Sequence, residues 1–175
     1  MEYTIYTDGG CSLNNKMMDC PGAYAFIITT DGDVEIAKEC EIEFSTTNNR
    51  MELAAAIQGL SWLIGKKIEG LESHDCVVIT DSKYLKDGYH EYLPIWKNNG
   101  WRKSDGSPVL NQDLWKMLSA LSPEFNSLRF QWVRGHSNHR QNCEVDMMVQ
   151  KKLHELRKPR LSESRKKVLS REVPV

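Results

Sequence analysis

Cys76-Val77-Val78-Ile79-Thr80-Asp81-Ser82 is an apolar run that ends in a carboxylate and a small hydroxyl residue. With no polar alternation, residues 76–80 describe a strand buried on both faces, the kind found in parallel sheets covered by helices. Near the N-terminus, Ile5-Tyr6-Thr7-Asp8-Gly9 ends the same way. If strands 3–7 and 76–80 are parallel neighbours, Asp8 and Asp81 lie side by side at the carboxyl edge of the sheet. That edge is where open α/β sheets place their sites.

The rest of the chain reads outward from these strands. Residues 8–22, rich in Gly, Asn and Asp, read as a loop. Ala23–Thr30 and Val34–Phe44 predict a hairpin around Asp31-Gly32-Asp33, since Asp-Gly is a strong turn signal. Glu35, Glu39, Glu41 and Glu43 share the wet side of its second strand, and Lys38 is the one charge on the apolar side. A helix is predicted from Asn49 to about Ile64, with Leu53, Ala56, Ile57, Leu60 and Ile64 on one face. A short helix follows over Ser82–Gly88, then a loop-rich stretch over 94–110. A helix over Asn111–Leu121, a strand over Arg129–Arg134 and a helix over Cys143–Leu156 complete the series. The order β-β-β-α-β-α-α-β-α gives an α/β fold with an antiparallel hairpin and parallel crossovers.

Composition narrows the class. The chain has 175 residues, 40% hydrophobic and 27% charged, with a net charge of −1. That is enough for one domain with a real core. No apolar run approaches the ~20 residues that span a membrane, and no secretion signal opens the chain. Five scattered cysteines without Cys-x-x-Cys spacing argue against zinc and a disulfide framework, and for reduced thiols in a cytoplasmic protein. Residues 151–175 carry nine Lys or Arg against three Asp or Glu. The body is therefore acidic and needs metal or local basic patches to meet a polyanion.

Two more acids belong with the strand-ending pair. Glu52 stands on the edge of a buried helical stripe, and Asp146 shares a stripe with Val149, Leu153 and Leu156. Each of the four has an ordinary structural explanation. Asp8 suits a turn, Asp81 an N-cap, Glu52 a capping box with Asn49 and Asp146 a helix dipole. Brought together, four carboxylates repel one another unless cations neutralise them. Mg²⁺ or Mn²⁺ suits such an all-oxygen set. Two such ions ~4 Å apart can activate water against a phosphodiester. No Gly-x-Ser-x-Gly or Walker-type loop points to other chemistry.

The motifs Tyr-Thr-Asp-Gly-Gly-Cys (6–11), Thr-Thr-Asn-Asn-Arg-Met-Glu-Leu-Ala-Ala (46–55), Thr-Asp-Ser-Lys-Tyr (80–84), Trp-Lys-Asn-Asn-Gly-Trp (96–101), Asn-Gln-Asp-Leu-Trp (111–115) and Trp-Val-Arg-Gly-His-Ser (132–137) precede Asp146. In this order they resemble type 1 ribonuclease H over residues 1–156, with no separate hybrid-binding module ahead of them and a basic, poorly ordered tail over 157–175. The resemblance implies a ribonuclease H-like mixed five-stranded sheet and a monomeric endonuclease. Its activity would be to hydrolyse the RNA strand of an RNA–DNA hybrid with two Mg²⁺ ions, Mn²⁺ being an alternative. The products would be a 5′-phosphate and a 3′-hydroxyl.

The resemblance also implies roles. Asp8, Glu52, Asp81 and Asp146 correspond to the catalytic metal ligands, and His136 to a mobile histidine that shuttles a proton or aids product release. Asn48 and Asn49 correspond to RNA-contacting asparagines, which can sense a 2′-hydroxyl. Asn14, Asn15 and Thr47 resemble phosphate- or groove-contacting positions. Residues 92–110 resemble a basic protrusion that grips DNA, with Trp96 and Trp101 for packing or sugar contact and Lys97, Arg102 and Lys103 for phosphates. Trp115 is expected to pack.

Several positions depart from the family pattern. Asn98 and Asn99 occupy part of the protrusion, Lys83 stands where glutamine is common, the loop 12–20 is longer than usual, and Cys143 stands where glutamate is frequent. Two rivals share the fold: a non-catalytic hybrid-binding module, and a DNA nuclease or integrase-like enzyme.

Overall fold

The structure, a computed structural model, describes residues 2–12, 20–66, 75–135 and 139–157. The chain order is β1 (Glu2–Cys11), β2 (Gly22–Thr30), β3 (Val34–Glu43), α1 (Asn48–Gly65) and β4 (Asp75–Thr80), followed by α2 (Lys83–Asp87), α3 (Leu93–Asn98), α4 (Gln112–Leu121), β5 (Ser127–Trp132) and α5 (Arg140–Arg157). The five strands form one sheet in the order β3-β2-β1-β4-β5. β1 pairs antiparallel with β2 and parallel with β4, and β5 is parallel to β4. The expected mixed sheet is present. The hairpin turn is closed by Asp33 N–H donating to the Thr30 carbonyl at 3.1 Å, with Gly32 and Asp33 both at positive φ. The tail beyond Arg157 lies outside the described residues.

Apolar side chains of β1 and β2 divide between the two faces with the two-residue period of a strand. Tyr3, Ile5, Phe26 and Ile28 meet Leu53, Ile57 and Leu60 of α1. Tyr6, Ala25 and Ile27 meet Val145, Val149 and Leu153 of α5. Lys38, the odd charge on the apolar side of β3, reaches Glu144 of α5 at 3.1 Å and Glu35 at 3.1 Å.

Three expectations need correction. β1 does not stop at Thr7 but pairs with β2 as far as Cys11↔Gly22. The helix at Ser82 does not stop at Gly88. A π-helical turn over Gly88–Tyr92 carries it into α3, where Pro94 sits at the first turn and needs no N–H partner. α5 begins at Arg140, so Asp146 lies beyond its first turn and a dipole role does not account for it.

Trp115 of α4 organises this second helical layer. It is fully buried, its indole N–H donates to the Tyr84 hydroxyl at 2.9 Å, and its ring packs edge-on to Trp96. A Cβ at Gly88 would collide with the Trp115 ring, so this position cannot hold a larger residue without displacing the tryptophan. Trp115→Ala should therefore destabilise the protein by about 3–5 kcal/mol. Urea unfolding measures this, and a cost below about 1 kcal/mol would refute the organising role.

Candidate active site at the carboxyl edge of the sheet

The parallel pairing of β1 with β4 ends at Thr7↔Thr80. The next residues on the two strands are Asp8 and Asp81, so they occupy adjacent positions where the sheet parts. Asp8 is a strand residue opposite Ala25 rather than a turn residue. Asp81 is not an N-cap either. Ser82 caps α2, its hydroxyl accepting from Leu85 N–H at 3.1 Å. The Asp81 backbone is fixed from β5, where Trp132 donates its indole N–H to the Asp81 carbonyl at 2.9 Å.

Glu52 reaches the same edge from α1. Thr47 is the N-cap of this helix, accepting from Arg50 N–H at 3.3 Å, so Asn49 and Glu52 do not make the capping box that their spacing allows. The Glu52 carboxylate instead accepts a hydrogen bond from the Ser82 hydroxyl. The helix start lies close against β1: a Cβ at Gly9 would stand 2.5 Å from the Glu52 nitrogen. Burial first, then Asp81 and Asp8, push the Glu52 carboxyl up to about 7, although the Ser82 hydrogen bond pulls the other way.

Asp146 is half-buried on α5 between Val145 and Val149, both of which pack on the other face of the sheet. The same helix closes on β1 at Gly10, where a Cβ would lie 3.6 Å from the Val149 side chain. Asp146 thus lies on a helix in the opposite layer to the one that carries Glu52. Among the described residues, no three carboxylate, imidazole or thiol groups form a closed coordination shell. The donor set nevertheless suits a hard divalent cation. It consists of carboxylate oxygens, and at Glu52 burial and like charges both disfavour the ionised form, a cost that a cation relieves.

His136, Asn14 and Asn15 lie outside the described residues. Gly135, just before His136, does belong to the site, since a Cβ there would stand 2.8 Å from Asp81 Oδ2. Asn48 is anchored, its side-chain oxygen accepting from Cys11 N–H at 2.8 Å. Asn49 is exposed beside it. In the protrusion, Trp96 stacks on Tyr92 with 5.7 Å between ring centroids, Trp101 packs on the core, and Arg102 donates to the Gly106 carbonyl at 2.8 Å. Lys97 is exposed and Lys103 half-buried. A groove of about 530 Å³ has Tyr84, Tyr92 and Trp96 in its wall and Lys83, Arg102 and Lys103 on its flanks.

Two residues escaped sequence reasoning. Ser82 reads in sequence as the first residue of a helix capped by Asp81, and its bond to Glu52 spans 30 residues and leaves no local pattern. Asn142, one turn before Asp146, is buried, and its side-chain oxygen meets no hydrogen-bond partner among the described residues.

The mixed sheet and its acid-lined edge define an α/β nuclease. The chain belongs to the RNase H family, whose model matches residues 1–154, and it is an enzyme of that class. The family uses divalent metal ions. A ribonuclease H of Prochlorococcus marinus (strain NATL1A) is 43% identical over 150 residues, covering 82% of each chain. One from Legionella pneumophila (strain Corby) is 38% identical over 158 residues, 89% of this chain and 99% of its own. The crystal structure of LC9-RNase H1, described as a type 1 RNase H with the type 2 active-site motif, matches with a TM-score of 0.74 at 26% identity, covering 88% of this chain and 72% of that one.

Because the folded state holds the Glu52 proton more tightly than the usual 4.5, it binds more protons than the unfolded chain between about pH 4.5 and 7. In a chelator, stability should fall as pH rises through that window, by no more than about 3 kcal/mol. Thermal melting at pH 5 and pH 8 checks this. Glu52→Gln should flatten the slope, and an unchanged slope in the variant would show that Glu52 is not its source.

Proposed function

We propose that this edge is the active centre of an endonuclease that hydrolyses the RNA strand of RNA–DNA hybrids, leaving a 5′-phosphate and a 3′-hydroxyl. The observation that carries the reading is the placement of Asp8 and Asp81 at the end of one parallel ladder, with Glu52 raised to about 7 beside them. Asp8, Glu52, Asp81 and Asp146 would hold two divalent cations, Mg²⁺ or in its place Mn²⁺. Bound there, these supply Lewis acidity to the attacking water and charge neutralisation to the leaving oxygen.

The protein's own groups do the positioning. Ser82 orients Glu52, and Trp132 fixes the Asp81 main chain. Gly135 brings the chain over the Asp81 carboxylate, which puts His136 next in sequence to the site, where an imidazole can carry a proton near neutral pH. Asn48 and Asn49 stand at the start of the helix that carries Glu52, the place from which amides would read a 2′-hydroxyl. Thr47 and Asn14 would support the same strand. The flanking groove, with Trp96 and Trp101 as its aromatic support and Lys97, Arg102 and Lys103 as its cations, would take the other strand. Phosphates and sugars are contacted more than base edges, so sequence preference should be weak.

The enzyme acts as a monomer in this reading, in the cytoplasm. Among the described residues no helix is long and apolar enough to cross a membrane. The foamy viral protease-reverse transcriptase determined in complex with RNA/DNA hybrid shares the fold, with a TM-score of 0.73 at 17% identity over 87% of this chain and 20% of that one.

Asp8→Asn tests the centre. It removes one of three mutually repelling carboxylates, so activity on a labelled hybrid in Mg²⁺ should fall by a factor of 10² or more while the melting temperature in chelator holds or rises. Near-normal turnover by this variant would end the assignment. Binding of hybrid without cleavage by the unaltered protein would make the chain a binding module, and equal cleavage of duplex DNA would make it a DNA nuclease.

A further inference from the structure

Lys83 is the first residue of α2, directly after the Ser82 cap. A lysine there meets the positive end of the peptide dipoles and does nothing for the helix. It is exposed, and its ammonium lies over the Trp132 ring, 5.1 Å from the centroid. Trp132 is itself tied to the Asp81 carbonyl by its indole N–H. Lys83 also borders the aromatic groove shared by Tyr84, Trp96, Arg102 and Lys103. One cation therefore has a fixed seat between the groove and the acidic edge.

The neighbouring charges leave that seat to Lys83. Asp87, on the same groove, is engaged by Lys86 at 2.9 Å. Arg102 spends one N–H on the Gly106 carbonyl. The protrusion has Asn98 and Asn99 in its midst. A phosphodiester backbone leaving the groove must approach Asp81 and Glu52, and Lys83 stands where that repulsion begins.

We propose that Lys83, seated on Trp132, is a phosphate-binding residue that joins the groove to the acidic edge, so that a backbone phosphate of the bound duplex rests on this pair beside Asp81. Trp132 is the positioning residue: its ring holds the ammonium and its N–H holds the Asp81 main chain. The inference rests on the hybrid-cleaving reading above and names one contact of its substrate.

The full-length protein and its Lys83→Gln and Lys83→Arg variants are titrated with a fluorescein-labelled RNA–DNA hybrid in EDTA over a series of KCl concentrations, and assayed for cleavage in Mg²⁺. Losing one phosphate contact should weaken binding several-fold at low salt and reduce the slope of log K against log[salt] by about 0.7–0.9. In cleavage the loss should fall mainly on KM, and Lys83→Arg should restore most of it. Trp132→Phe keeps a ring under the ammonium but drops the N–H to Asp81, so its loss should fall mainly on kcat. A Lys83→Gln variant with unaltered affinity and salt slope overturns the proposal, as does a Lys83→Arg variant no better than Lys83→Gln. Failure of the unaltered protein to bind or cleave the hybrid would instead refute the reading on which the proposal rests.

Discussion

The parallel register of β1 on β4 is the constraint on which the rest depends. Thr7 lies opposite Thr80, and one residue later both chains present an aspartate. A slip of one residue would turn every side chain of one strand to the opposite face. It would bury Asp8 or Asp81 against a helix and leave an isoleucine or tyrosine at the surface. The apolar packing that fixes the register, Ile5 and Val78 against α1 and Tyr6 and Ile79 on the α5 side, therefore also fixes the separation of the two acids. Core and site share one determinant.

Close backbone approach does the remaining placement. Gly9 lets α1 come down on β1 so that Glu52 enters from that layer. Gly135 performs the same service for the chain that leaves β5. At Gly9 and Gly135 a single methyl group would meet main chain or a carboxylate, so Glu52 and Asp81 take their places through what is missing from the residues around them. The cost of convergence appears in Glu52, whose proton is held into the neutral range. A site of this kind is strained towards cation uptake before any cation arrives.

Much of this was legible in the sequence. The unalternating run 76–80 and the Asp-Gly turn at 31–32 specified a central strand and a hairpin because burial on two faces and positive φ leave direct residue signatures. The stripe of Val149, Leu153 and Leu156 likewise placed Asp146 on an inward-facing helix. What misled was local punctuation. Gly88 and Pro94 look like helix breakers, yet one is small to admit Trp115 and the other stands in a first turn. Asn49 and Glu52 have the spacing of a capping box, but Thr47 already caps the helix and frees Glu52 for the sheet edge. Gly9-Gly10 after Asp8 suggests a loop, whereas the glycines serve packing within a strand that β2 continues to pair. In each case a tertiary contact, invisible in a short window, decided the role.

Ser82 is a small wire between helix and acid. Its oxygen accepts the Leu85 N–H, which leaves its one proton to point at Glu52. The backbone thus fixes the Ser82 oxygen, and the carboxylate takes its proton. Glu52 is offered a donor whether or not it is charged, and its ionised form is favoured by a bond that persists as long as α2 keeps its first turn. The acidic edge therefore depends on a helix start that carries none of the acids: loosening the first turn of α2 also loosens the donor held at Glu52.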